Sequence, residues 1–274
     1  MHARTRGRPS PTAHRDAVAR RSWIRTAAAL AAISLASAGC DDPKQPAPGA
    51  ATSAASSAQA AEPAEPPKPK VMPVLTVDEL GPYLGGRRVE MKKDDAAEKL
   101  AKIVRELPIE GKPVTLIADK KAKTPDVAAV VNELGAAGAP KVIIKTDGRD
   151  DLPKEITVTP EARVSNPPGC SVSAMVLKDL STAVWPFKGG LGKRQRKGLA
   201  GPDLSNTGET LEKEIAGCNG NIAFFSADDE VSWEMAHNLA GTVINSDLKK
   251  KIDTLVLLRA APVAGRAVKV GSGS

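Results

Sequence analysis

The order strand, helix, strand occurs twice in this chain, and the first strand of each set ends in the same dipeptide, Ala-Asp. In the first set, residues 113–118 form an apolar run of the kind a buried strand shows. Thr124-Pro125 then offers a cap with proline at the first helical position. Val127, Val130, Val131 and Leu134 fall on one face at helical spacing, and Gly138 followed by Pro140 stops the helix. Residues 141–145 are the next strand. In the second set, residues 222–225 read as the strand, 232–245 as the helix and 252–258 as the closing strand. Ala118-Asp119 and Ala227-Asp228 hold the same place in both. A helix precedes each set: 95–107, with Asp95 and Glu98 at capping-box spacing and Ala97, Leu100, Val104 and Leu107 along one side, and 207–216. Strand, helix, strand with short links implies a parallel pair joined by a right-handed crossover. Its recurrence reads as a tandem duplication.

The second copy carries additional strands. Residues 171–178 alternate, with Val172, Ala174 and Val176 facing one way, and residues 182–187 follow. Gly189-Gly190-Leu191-Gly192 then leads into the basic run Lys193-Arg194-Gln195-Arg196-Lys197, which together read as a hairpin with a cationic return strand. Lys188, Lys193, Arg194, Arg196 and Lys197 are the candidate contacts for an anionic ligand. The competing reading is a solvated edge that discourages aggregation. The glycines do not form a nucleotide-cradling loop, because Phe187 stands where its first glycine belongs and no Ser or Thr follows the lysine. In the first copy, residues 87–91 are a short strand candidate.

Ahead of the folded part, Arg20-Arg21-Ser22-Trp23-Ile24-Arg25 precedes an alanine-rich apolar stretch, 27–36, that closes on Ser37-Ala38-Gly39-Cys40. A cationic region, a short apolar core and small residues before a cut make a secretory signal. With cysteine just after the small residues, the segment resembles a bacterial lipoprotein signal, although Ser37 stands where leucine is usual. The resemblance implies cleavage before Cys40 and lipid on its thiol and amine. The apolar stretch falls short of the roughly 20 residues a spanning helix needs. The arginine pair also resembles the twin-arginine export signal, with an ordinary cationic region as the alternative. Residues 41–70 are Pro, Ala, Ser, Gln and Glu with almost nothing to bury, hence a tether. Thirty such residues span about 30 Å as a flexible coil and about 90 Å if polyproline-like.

The net charge of +7 suggests a nucleic-acid binder until it is located. The leader holds seven arginines against Asp16, a net +6, which leaves +1 for the mature chain. A near-neutral protein lacks the field that attracts phosphate backbones, so nucleic acid is not among the expected partners. With Cys40 taken by lipid, Cys170 and Cys218 remain, and two thiols in an oxidising compartment read as a disulfide. Closing the loop of about 48 residues between them stabilises by about 4 kcal/mol on the chain-entropy account. His237 is the one histidine outside the leader; it lies mid-helix by pattern and reads as a structural or surface residue. A Ser–His–Asp triad or histidine-based metal site would have to use it. Asp119 with Lys120 and Asp228 with Asp229 are the only recurrent ionisable groups, and acids at strand ends more often cap the next segment than catalyse.

Val114-Thr-Leu-Ile-Ala-Asp119-Lys120, Asp126-Val127-Ala-Ala-Val130-Val131-Asn-Glu-Leu134 and Ala137-Gly138-Ala-Pro-Lys141-Val142-Ile-Ile-Lys-Thr146 together resemble the periplasmic domain of the ExbD/TolR family of biopolymer transport proteins. The likeness covers about 70 to 150 well, and 171 to 258 only through Ser226-Ala227-Asp228 and the order of elements. It implies an α+β fold of two tandem units, each with helices on one face of a mixed sheet. It further implies a membrane-tethered periplasmic module that dimerises and works beside a proton-driven motor of the ExbB/TolQ or TonB/TolA type, with peptidoglycan as a contact in the TolR branch. The family's membrane helix carries an aspartate for proton flow, whereas residues 27–36 here hold no acid, so the motor function does not carry over.

The expected layout is a signal peptide at 1–39, lipidated Cys40 with its tether to 70, one unit at 71–164, a second at 165–262 and a flexible tail at 263–274. The expected function is a non-catalytic envelope lipoprotein facing the periplasm, without cofactor or metal, that serves as accessory or scaffold in transport or envelope integrity. The alternative is a module that binds peptidoglycan or another anionic polymer. Cys40→Ala should leave the chain uncut and move it out of the detergent phase on Triton X-114 partition. Unchanged size and partition would remove the lipoprotein reading.

Overall fold

The computed structural model describes residues 71–109 and 111–271. The leader, Cys40 and the tether lie outside them. The fold is α+β: four α-helices packed on two mixed sheets. The first repeat opens with β1 (Leu75–Asp78), β2 (Gly81–Leu84) and β3 (Arg87–Arg88), joined by tight turns. Gly85 and Gly86, at φ 55° and 79°, make the two-residue link between β2 and β3 that such hairpins favour. Gly81 is also required, since a Cβ there would meet the Val89 carbonyl oxygen at 2.6 Å. Helix α1 (Ala96–Arg105), β4 (Val114–Ala118), α2 (Thr124–Ala136), β5 (Val142–Lys145) and β6 (Glu155–Val158) complete the first sheet, in the order β3-β2-β1-β4-β5-β6.

The second repeat follows the same plan. It comprises β7 (Val172–Val176), β8 (Thr182–Pro186), β9 (Lys193–Gln195), α3 (Leu204–Ala216), β10 (Ile222–Ala227), α4 (Trp233–Ser246) and β11 (Thr254–Leu257). Its sheet runs β9-β8-β7-β10-β11, the same order as the first sheet without β6. Both sheets combine antiparallel hairpin pairs with parallel central pairs. The aspartates match as well. The Asp119 amide donates to the Val77 carbonyl at 2.8 Å, and the Asp228 amide to the Val176 carbonyl at 2.9 Å.

The repeats meet where the α2 and α4 N-termini approach. The Trp233 amide donates to the Ala122 carbonyl at 2.8 Å, and the Thr124 amide to the Val231 carbonyl at 3.4 Å. Ala122 and Val231 hold equivalent positions, as do Thr124 and Trp233, so donor and acceptor exchange roles about the Lys123–Ser232 bridge. Such an exchange marks a local two-fold, the geometry of an isologous dimer inside one chain. A third bond, from the Glu234 amide to the Lys120 carbonyl at 3.0 Å, has no counterpart because the matching residue is Pro125. One continuous core, from Leu75 and Val77 through Val127 and Val131 to Phe225, Leu239 and Leu257, runs through both repeats.

Several local expectations shift. Thr124 does not cap α2; its hydroxyl crosses to the other repeat and donates to the Val231 carbonyl at 3.0 Å. Asp95 stands at the α1 N-cap, but its carboxylate pairs with Lys99 at 2.7 Å and caps nothing. Ala96 and Ile103, not Ala97, complete the buried face of α1 with Leu100 and Val104. Within the expected tail, residues 263–271 are packed. Val268 is buried and its amide donates to the Phe187 carbonyl at 2.9 Å. Glu161 accepts the Gly271 amide at 2.6 Å, and the Trp185 indole donates to the Arg266 carbonyl at 2.8 Å. The segment stays because it seals the outer face of the second sheet, where Met175, Trp185, Phe224 and Val256 would otherwise meet water.

Trp233 is fully buried, and its indole donates to the Thr146 hydroxyl of the first repeat at 2.8 Å. Trp233→Ala should cost about 3–5 kcal/mol. Urea unfolding followed by far-ultraviolet circular dichroism should still give a single transition at a lower midpoint, because the core is shared. Two separate transitions in the parent protein would refute the shared core.

Candidate functional site

The cationic hairpin lies at the free edge of the second sheet, where β9 pairs antiparallel with β8. Strand alternation sends neighbouring side chains to opposite faces. Lys193 and Gln195 turn toward α3, where Lys193 pairs with Glu214 and Gln195 donates to the Thr210 hydroxyl at 3.0 Å. Arg194 points the other way and is held by Asp179 at 2.6 Å and by the Ser181 hydroxyl at 2.9 Å. Hydrogen bonds from the Ser181 hydroxyl and amide, with Arg194 beside it, hold the Asp179 carboxyl below its ordinary range. Arg196 and Lys197 are exposed and join Arg194, Asp179 and Ser181 around an open recess of about 620 Å3. Lys188 stands apart, packed along Gly169 near the disulfide. The five cations therefore do not share one face. The structure gathers Arg194, Arg196 and Lys197, and neutralises Arg194 and Lys193 with carboxylates of the same chain.

Cys170 and Cys218 are bridged, with their Cα atoms 5.5 Å apart. Cys170 leads into β7 and Cys218 follows α3, so the bond ties together the entrances of two adjacent parallel strands. Asp119 and Asp228 both serve the turn that follows them. Asp119 accepts the Lys121 amide at 2.7 Å, and Asp228 the Glu230 amide at 3.3 Å. Among the described residues no group of three or more His, Cys, Asp or Glu is placed to hold a metal ion. None of their helices is long and apolar enough to cross a membrane.

Pattern alone left His237 open between core and surface. The structure buries it to 1% exposure, edge-on to Trp233 with ring centroids 5.9 Å apart. Neither ring nitrogen has a partner, nor does the Asn238 side-chain oxygen next to it. Both side chains sit beneath Gly148, where a Cβ would lie 3.4 Å from His237 Nδ1 and 3.8 Å from Asn238 Oδ1. A His-Asn pair inside the apolar stretch of a helix was the sequence signal for this polar pocket.

Burial lowers the His237 pKa to about 4. The folded chain then binds fewer protons than the unfolded chain between the usual imidazole value and about 4. Stability is therefore retained near neutrality and lost as pH falls through that window, by about 3 kcal/mol in all. Asp78 and Asp203, whose pKa values are lowered by Arg88 and by the Asn206 amide respectively, withdraw their contributions only at lower pH. Urea midpoints measured from pH 7 to pH 4.5 should fall in the parent and stay flatter in His237→Leu. Equal slopes would show that His237 is not the group responsible.

The chain matches no protein-family profile, no curated protein and no solved structure.

Proposed function

We propose that this chain is a non-catalytic lipoprotein of the cell envelope, an accessory or scaffold in transport or envelope integrity built from two ExbD/TolR-like units. The observation that carries the reading is the local two-fold. Two copies of one strand–helix plan, closed on each other through reciprocal bonds between residues 122–124 and 231–233, build within a single chain the pairing that the resembled modules reach by dimerising. The lipoprotein-like signal ending at Cys40 supports a membrane tether, and the tether gives the paired unit reach. The two aspartates that recur at strand ends are engaged in turn formation, which fits recognition better than turnover. Chemical cross-linking in intact cells of the host, followed by identification of captured proteins, should return membrane components of an energised envelope complex. Capture confined to soluble metabolic enzymes would overturn the proposal.

The recess formed by Arg194, Arg196 and Lys197 favours a second reading, attachment to an anionic wall polymer. Arg196→Glu with Lys197→Glu should then weaken retention on isolated cell wall, more at low salt than at high salt, because exposed charges are screened. Retention unchanged by the reversal would assign these cations to guarding the sheet edge alone.

A further inference from the structure

Beside the N-terminus of α2 lies an open recess of about 740 Å3. The turn between β1 and β2, the segment that leaves β3, and the first turn of α2 wall it. Asp126 is the buried acid of this recess, 8% exposed. Folds rarely bury a carboxylate unless something pairs with it. Here nothing does, for among the described residues no hydrogen bond or ion pair engages its oxygens. Those oxygens are not sealed in, as the orphaned ones of Ser173 and Asn238 are, but open into the recess. Burial pushes the Asp126 carboxyl above its ordinary value, and the Lys123 charge acts against that rise.

Helix architecture does not account for the buried acid. A first-turn carboxylate favours the positive end of a helix from a solvated position, and burial opposes that gain. The second repeat does without one. Met235 holds the equivalent place in α4, and a Cβ on Gly201 would lie 3.5 Å from its sulfur. Where the second repeat fills this place with an apolar side chain under residues 198–203, the first leaves it acidic and open.

The remaining charges around the recess fall into distinct groups. Arg88 is spent on Asp78 at 2.7 Å and Glu90 on Lys93 at 3.1 Å. Glu79 and Asp229 are exposed, solvated acids. Lys92 and Lys123 are exposed as well, and neither has an ion-pair partner among the described residues. The Lys123 charge is felt at Asp126, yet no ion pair joins them, so a gap separates an unpaired acid from an unpaired base. Leu80, 71% exposed, and half-buried Met91 and Pro125 add an apolar wall. An acid alone would call for a cation. An acid and a base across a gap call for a molecule that carries both charges, and the apolar wall calls for an aliphatic body.

We propose that this recess binds a small zwitterion, an α-amino acid with an aliphatic side chain. Its ammonium donates to the Asp126 carboxylate, its carboxylate meets the Lys123 ammonium with Lys92 beside it, and its side chain lies on Leu80, Met91 and Pro125. Bound in this way, it satisfies the acid that folding left unpaired. The assignment does not rest on the envelope-scaffold reading, and either can fail without the other.

The test titrates L-leucine into the full-length protein in a non-ionic detergent, read by isothermal titration calorimetry. Leucine should bind. Isoamylamine, which keeps the ammonium, and 4-methylpentanoate, which keeps the carboxylate, should each bind about tenfold more weakly. Asp126→Asn and, separately, Lys123→Met should each weaken leucine binding by about tenfold. Glu98→Gln, on exposed α1, should bind as the parent does. Asp126→Asn should melt at or above the parent temperature, since it removes a charge held out of water without a partner. Absence of leucine binding to the parent, or undiminished binding by either variant, overturns the inference. Isoamylamine binding as tightly as leucine would make the ligand a simple cation and overturn the zwitterion. A lower melting temperature in Asp126→Asn with leucine binding intact would assign the carboxylate to α2 alone and overturn the site.

Discussion

Two backbone hydrogen bonds, from Trp233 to Ala122 and from Thr124 to Val231, determine where the second half of this chain can stand against the first. Each contributes on the order of 1 kcal/mol net, far less than the apolar faces of α2 and α4 that they bring together. What they provide is register: with both made, only one rotation about the local axis brings Trp233 to Thr146. Charge enforces the same choice. The turn before α2 reads Asp119-Lys120-Lys121-Ala122-Lys123, and the turn before α4 reads Asp228-Asp229-Glu230-Val231-Ser232. Pairing first repeat with second sets a cationic turn against an acidic one. Pairing like with like between chains sets lysines against lysines or acids against acids, which discriminates against the homotypic alternatives.

The duplication was legible because its signal is chemical and local. An aspartate after an apolar strand accepts the amide two residues on, so it recurs wherever that turn recurs, at Asp119 and at Asp228. The disulfide was legible by compartment and count. What stayed hidden depended on partners far along the chain. Strands β1 and β2 are each four residues long and carry Gly81 and Pro82, so periodicity has too little length to register. Thr124 has the composition of a helix cap, and only the other repeat, 107 residues away, shows why its hydroxyl is spent elsewhere. The basic run looked like one patch because a linear reading ignores that consecutive strand residues face opposite ways; Glu214 and Asp179, which neutralise it, come from different elements.

The copies have also diverged face by face. Outward-facing Phe224, Val256 and Met175 in the second sheet correspond to Thr115, Ile143 and Thr76 in the first. The second sheet consequently needs the segment from Arg259 to Gly271 as a cover, held by Glu161 at both ends through the Arg259 and Gly271 amides. The first sheet mixes Thr76, Thr115 and Thr157 with Ile117 and Ile143 on that face, carries the Lys145–Glu155 pair at 3.4 Å, and leaves Ile117 45% exposed. A segment of alanine, proline and glycine read from sequence as a tail is thus fixed by aromatic residues that only one copy possesses.

The same divergence puts opposite charges on one repeat, and α3 separates them. Glu209 and Glu212 face the groove shared with α4, whereas Glu214, two residues on and about 200° around the helix, faces β9 and holds Lys193. Withdrawing Lys193 and Arg194 into internal pairs with Glu214 and Asp179 leaves Arg196 and Lys197 as the exposed charges of the run. The edge then retains enough cation to discourage strand addition.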